Sequence, residues 1–129
     1  MKKISFLSII LGVLFLTGCG ATSSVSYPKL FTDAKLPQYQ DAKLVQVITD
    51  GPTLKEGILL RLESEKDIKT IAAYYDQQMI ALGWTMPAKN EATESSYATQ
   101  YNNGSKYVQL TVSQITGMDQ TITINFMEQ

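Results

Sequence analysis

The chain reads as an α+β protein: a two-layer sandwich in the order ββαβββ, with one helix packed on an antiparallel sheet. Three observations predict it. Ile68 to Leu82 repeats apolar residues at three- and four-residue steps, the period of one helical face. Five other segments are short and rich in β-branched or aromatic residues, and the last two alternate apolar with polar. The links between successive strands are short enough for antiparallel pairing, and a helix on one face of such a sheet makes two layers.

Each element has a local reason. Leu36 to Lys43 is an extended lead-in, because Pro37 fixes its own φ and biases the preceding residue away from helix. Leu44 to Thr49 reads as a strand, broken by Asp50-Gly51-Pro52, with Gly57 closing a loop of about eight residues. Ile58 to Glu63 returns with Ile58, Leu60 and Leu62 on one face and Arg61 and Glu63 on the other. Ser64 is read as the helix N-cap, with Glu65 and Asp67 favoured by the dipole in the first turn. Ile68, Ile71, Ala72, Tyr75, Met79 and Leu82 form the buried stripe. Gly83 ends the helix in a left-handed conformation, and Trp84 folds back on the last turn. Thr85 to Ser96 is a polar, mobile connection. Tyr97 to Tyr101 and Lys106 to Gln114 form a hairpin through Asn103-Gly104, with Val108, Leu110 and Val112 inward. After a turn at Gly117 to Gln120, Thr121 to Phe126 is the last strand, with Ile122, Ile124 and Phe126 inward.

The amino terminus has a different character. Met1-Lys2-Lys3 is basic, and Ile4 to Leu16 is an uncharged apolar run of 13 residues. A membrane-crossing helix needs about 20, so this length fits the core of a signal peptide. Leu16-Thr17-Gly18-Cys19 then resembles the lipobox of bacterial lipoprotein precursors, with a Leu three positions before the Cys and small residues beside it. The resemblance implies cleavage before Cys19, a diacylglyceryl thioether on its sulfur and an acyl group on the new amino terminus. No other cofactor is expected. A single Cys in an exported chain has no internal partner, and a lipid accounts for it. Gly20, where an Asp would favour the inner membrane, implies outer-membrane sorting in a two-membrane cell. In a one-membrane cell the protein would stay on the outer face of the plasma membrane. The expected organisation is residues 1–18 as signal peptide, 19–35 as lipidated Cys and flexible tether, and 36–129 as the α+β domain. Leu30 and Phe31 interrupt the polar tether and are expected to dock on the domain edge, with contact to a partner as the alternative.

Composition restricts the chemistry. The chain has no His and one Cys, which removes His-based acid–base catalysis, Cys–His and Ser–His nucleophiles, most zinc sites and any intrachain disulfide. Without Lys2 and Lys3 it carries 9 basic and 12 acidic residues, so nucleic acid is not an expected partner. Asp50 and Asp119 are turn residues, with no acidic cluster around them to hold a metal. Glu63, Glu65 and Asp67 are explained by the helix start. No nucleophile elbow, S-x-x-K or phosphate-cradling glycine loop is present, and the protein is not expected to be an enzyme.

What remains is surface. The sheet face turned away from the helix is expected to present Tyr101, Tyr107, Gln109, Thr111 and Thr123 as a partner-binding set, beside Ser113, Thr121 and Asn125. Tyr with amides and hydroxyls can stack on sugars or pair with a protein. Thr and Tyr are also good strand formers on a solvated face.

Leu36 to Trp84 also resembles a small extracytoplasmic domain of bacterial lipoproteins and secreted proteins, through Pro37, Tyr39 and Ala42, then Ala73-Tyr74-Tyr75, then Leu82-Gly83-Trp84. Gln40 and Asp41 stand where that pattern has Pro and Gly. The resemblance implies fold and compartment and carries no activity. The sequence therefore points to a lipid-anchored envelope protein, held to the membrane by its anchor, whose non-catalytic domain binds an envelope protein or cell-wall polymer. One alternative is an accessory subunit of an outer-membrane assembly complex, which an exposed apolar patch would favour. The other is a cell-wall glycan hydrolase. It needs two facing carboxylates about 5–10 Å apart in a cleft, drawn from Glu63, Glu65, Asp119 and Glu128.

Overall fold

The computed structural model describes residues 25–49 and 53–129. The signal peptide, the Leu16-Thr17-Gly18-Cys19 motif and the break at Asp50 to Pro52 lie outside the described residues. A short helix, α1 (Lys29–Asp33), is followed by β1 (Lys43–Thr49), β2 (Ile58–Ser64), α2 (Ile68–Ala81), β3 (Ser96–Asn103), β4 (Lys106–Gln114) and β5 (Gln120–Glu128). From β1 onward the order is the expected ββαβββ. The strands form one antiparallel sheet in the order β1-β2-β5-β4-β3. The crossover through α2 carries the chain from β2 to the far edge, and the β3-β4-β5 meander brings it back beside β2. Ile58 then pairs with Phe126 and Leu62 with Ile122.

Residues directly opposite in a sheet point to the same side. Leu60, Ile124 and Leu110 pair in one such row across β2, β5 and β4, and all are buried under the helical layer. The α2 stripe of Ile68, Ile71, Ala72, Tyr75 and Met79 is buried against them, as its spacing predicts, but Leu82 is 43% exposed. Leu82 falls past the last full turn, where the chain has begun to reverse.

Both helix ends can be read in atoms. The N-cap is Asp67, three residues later than expected: its carboxylate accepts from Thr70 N at 2.9 Å and from Thr70 Oγ1 at 2.7 Å. Ser64 remains the last residue of β2. Its hydroxyl donates to Asp41 O at 2.7 Å and so fastens the lead-in to the sheet. At the C-terminus, Gly83 N donates to Ile80 O and Trp84 N to Met79 O, both at 3.0 Å, with Gly83 at φ +86°. This is the paired-bond terminator that glycine favours. Trp84 is buried edge-on against Phe126, 6.2 Å between ring centres.

A Cβ at Gly83 would meet nothing within 4 Å, so a substitution there acts through the backbone alone. Gly83→Val should cost roughly 2 kcal/mol, because it forces a β-branched residue into the left-handed region. Gly83→Asn should cost much less. Equal urea midpoints for Val and wild type would show that the terminator contributes nothing.

The connection from Thr85 to Ser95 differs from the mobile loop expected. Thr85 and Asn102 exchange backbone hydrogen bonds at 2.9 and 2.7 Å, Asn90 Nδ2 donates to Ala98 O at 2.5 Å, and Lys69 pairs with Glu94. These ties cover the outer edge of β3, which would otherwise present unpaired backbone groups. At the opposite edge, β1 carries a bulge between Leu44 and Gln46.

The largest departure is at the amino-terminal side. Lys29 to Asp33 is helical where a flexible tether was expected, while Phe31, expected to dock on the domain edge, is 1% exposed. The ordered part therefore reaches back well before Leu36. Phe31 stacks with Tyr27 at 5.2 Å and meets Phe126 edge-on at 6.4 Å. The cause is width. Five strands span about 19 Å between outer axes, while one helix is about 10 Å across. α2 packs on β3 and β4, and residues 27–42 supply the remaining cover. α1 ends with Lys35 in the left-handed region at φ 54°, with Lys35 N on Thr32 O and Leu36 N on Phe31 O. A lysine held there costs about 1–2 kcal/mol relative to glycine, which the burial of Phe31 and Leu36 offsets.

Candidate functional site

The outer face of the sheet is open across its width, and its residues stand in rows set by strand register. Gln100, Gln109 and Asn125 pair across β3, β4 and β5 as a row of amides. Ala98, Thr111, Thr123 and Arg61 form the next row, and Ser96, Ser113, Thr121 and Glu63 the one after. Tyr107 pairs with Met127, and its hydroxyl donates to Met127 Sδ at 3.2 Å. Tyr107, Gln109, Thr111 and Thr123 therefore share one accessible face, as expected.

Tyr101 does not join them. It pairs with Val108, points inward and is fully buried. Its phenol donates to Asp76 Oδ1 at 2.6 Å, and the Tyr97 phenol donates to the same oxygen at 2.7 Å. The two phenols fasten β3 to α2 through one carboxylate. Asp76 stands off the apolar stripe of α2, and nothing in the helical period alone marks it.

Two grooves lie on the open face. One, of about 510 Å³, runs under Pro87, Ala88 and Asn90 beside Gln100, Gln109 and Thr111. The other, of about 530 Å³, lies between Arg61, Thr121 and the β4–β5 turn, where Ile115 is 60% and Met118 65% exposed. Both have mixed polar and apolar linings and stay open to solvent, so they suit an extended partner better than a small enclosed ligand.

The carboxylates divide between the two ends of the sheet. Asp41, Glu63, Glu65 and Asp119 line one shallow groove, interleaved with Lys43 and Lys66, whereas Glu128 pairs with Lys106 at the opposite end. Asp41, Glu65 and Asp119 are exposed, and Glu63 is partly so. The groove they line is shallow and open to water. Among the described residues no group of three metal-ligating side chains forms.

Between the layers the packing is nearly complete. A residual cavity of about 10 Å³ remains, bounded by Phe31, Leu36 and Pro37 on one side and by Tyr75, Met79 and Ile124 among its other walls. That is about the space of one water-sized probe. Tyr75 is 3% exposed and its hydroxyl has no partner.

Burial, and then the Asp76 carboxylate, push the Tyr97 phenol up to about 12 from the ordinary 10.0 and raise Tyr101 further; burial raises Tyr75. A phenol raised on folding contributes fully below its unfolded value and loses that contribution as pH climbs through the folded one. The urea midpoint should therefore hold up to about pH 10 and fall between about 10 and 12. These three tyrosines should ionise only as the domain unfolds, as read by tyrosinate absorbance. A stability flat through pH 12 would refute the assignment.

A family model described as START domain-like matches residues 44–122, more than half of the chain. The match runs from β1 into β5. No curated protein and no solved structure matches the chain.

Proposed function

We propose that this chain, which belongs to the START domain-like family on the strength of the match over residues 44–122, is a lipid-anchored, non-catalytic binding module of the cell envelope. The family match carries the binding half of the reading, since START-like domains are in general binding rather than catalytic. The exposed carboxylates agree with it. The basic start, the short apolar run and Leu16-Thr17-Gly18-Cys19 support the anchor and the envelope address. Outer membrane in a two-membrane cell, or the outer face of the plasma membrane otherwise, is the corresponding location.

Two surfaces suit two kinds of ligand. Rows of amide and hydroxyl groups around Tyr107, Gln109, Thr111 and Thr123 fit a hydrated polymer or a protein strand. The residual apolar seam between the layers, together with the family match, supports a second reading, a small apolar ligand held there. Exposed Ile115 and Met118 on one turn support the accessory-subunit alternative.

Photo-crosslinking in cells discriminates among them. A photoreactive residue at Thr111 should capture a defined partner if the open face binds. One at Ile115 should do so if the turn docks in an assembly. One at Gln77, on the solvent side of α2, serves as reference. Equal labelling from all three positions would remove the case for either surface.

A further inference from the structure

We propose that the groove beneath Pro87 and Ala88 is a binding site for an uncharged glycan chain, gripped by the unpaired backbone edge of β3 at Gln100. The inference rests on the open-face binding reading above and deepens it, by naming the chemistry of the ligand and the atoms that hold it.

The gap in the edge follows from one proline. Thr85 and Asn102 exchange backbone hydrogen bonds, and the antiparallel register of that bridge, carried on, would place Pro87 opposite Gln100. Proline has no N–H to give the Gln100 carbonyl, so the pairing stops there. The next tie is at Ala98, whose carbonyl accepts from Asn90 Nδ2 at 2.5 Å. Successive residues of an antiparallel strand turn their N–H and C=O alternately to one side and the other. Asn102 turns both towards Thr85, so Gln100 and Ala98 turn theirs to the same outer side. Among the described residues, nothing bonds to the backbone N–H or C=O of Gln100 or to the N–H of Ala98.

These groups edge the groove of about 510 Å³, a size within the roughly 300–1,000 Å³ of ordinary ligand sites. Its chemistry selects the occupant. The N–H and C=O of one extended residue lie side by side, and neighbouring substituents on a sugar ring, one accepting and one donating, match them. A peptide strand laid along β3 matches less well, because the ties at Asn102 and Ala98 bar its path on both sides of Gln100. Charge narrows the class further. The polar side chains lining the groove are Asn90, Thr99, Gln100, Gln109 and Thr111, with no ionisable group among them. A carboxylate or an ammonium would lose water there and find no counter-charge. Gln100, Gln109 and Asn125 then continue from the gap as a row of amides across β3, β4 and β5. The row is about 10 Å long at the usual strand spacing, comparable with a pair of linked sugar rings, and amides offer both donors and acceptors to their hydroxyls.

Titration of the isotope-labelled full chain, in a zwitterionic detergent, with chitohexaose and cellohexaose tests the site by NMR. The backbone amides of Ala98 and Gln100 should shift most, while those of Ile71 and Tyr75 in α2 stay in place. The cationic glucosamine hexamer and the anionic galacturonic acid hexamer should bind at least about tenfold more weakly. Gln100→Pro removes the outward N–H and spares the ladder to β4, so it should weaken binding about tenfold. Gln100→Ala keeps that N–H and should lose about threefold or less. The charged hexamers are read on wild type, so a Gln100→Pro chain that fails to fold leaves the site testable. Binding by one neutral hexamer alone supports the site and fixes whether an acetamido or a hydroxyl group sits at Gln100. Equal binding of the charged hexamers, or shifts confined to regions away from β3, would overturn it. No binding by either neutral hexamer, while a photoreactive Thr111 still captures a partner, would overturn the glycan and leave the open-face reading standing. Loss of that capture as well would remove both.

Discussion

Truncating Tyr101 to alanine is expected to destabilise the domain by about 3–5 kcal/mol, the usual cost of deleting a large buried aromatic ring. Tyr101→Phe should cost about 1–2 kcal/mol, because it removes one hydrogen bond to a carboxylate and leaves the ring in place. The ring pairs with Val108 under α2, and the phenol donates to Asp76. Asp76 keeps Tyr97 as a second donor at 2.7 Å, so the Phe variant does not strand the carboxylate. Urea unfolding followed by tryptophan fluorescence checks both variants, with Trp84 as the reporter at the end of α2. A near-neutral Tyr101→Ala would mean that β3 does not pack under the helix. A Tyr107→Ala substitution, on the open face, should stay within about 0.5 kcal/mol of wild type. The contrast between two tyrosines on adjacent strands is the direct test of register.

That contrast also shows what the sequence could and could not disclose. β4 and β5 alternate between aliphatic and polar residues, so their faces were readable from the period alone. β3 offers Tyr97, Thr99 and Tyr101 on one parity and Ala98, Gln100 and Asn102 on the other, and neither is plainly apolar. The turn held the missing signal. Asn103 pairs with Lys106 around Gly104-Ser105, which places Tyr101 opposite Val108 and hence on the buried face. Carrying the inward parity of Val108 through a two-residue loop would have placed Tyr101 correctly.

The N-terminal cover was hidden for a different reason. Five helical residues are too few to show a period, and Thr22-Ser23-Ser24, Ser26 and Pro28 make the surroundings read as linker. Geometry held the usable signal here: one helix cannot cover five strands. A sheet of that width calls for a second cover, and Leu30 and Phe31 were the apolar residues left to supply it. Sheet order was not legible either. Antiparallel hairpins fix β1 beside β2 and β3-β4-β5 in sequence, but joining the two sets through β2 and β5 depends on where the α2 crossover lands. The Tyr97–Asp76–Tyr101 bridge follows from that landing.

Cys19→Ala should have the largest effect on behaviour in the cell. The unsubstituted protein should partition with membranes and start at Cys19, carrying diacylglyceryl on sulfur. The alanine variant should appear uncleaved or in the wrong compartment, with no lipid mass. Each buried methylene contributes about 0.8 kcal/mol, so two or three long chains hold essentially irreversibly, where one would not. No charge compensates for their loss, since the remaining chain has 9 basic and 12 acidic residues and gains little from an anionic surface. Cys19 and Tyr27 are eight positions apart, a reach of at most about 28 Å when fully extended. A lipid on Cys19, with Phe31 docked, would therefore keep the domain closer to the headgroups than a free segment up to Lys35 would allow. Intact-mass analysis and fractionation of wild type and Cys19→Ala read the anchor directly. An unmodified amino terminus at another residue, or equal membrane partition of the two proteins, would defeat it.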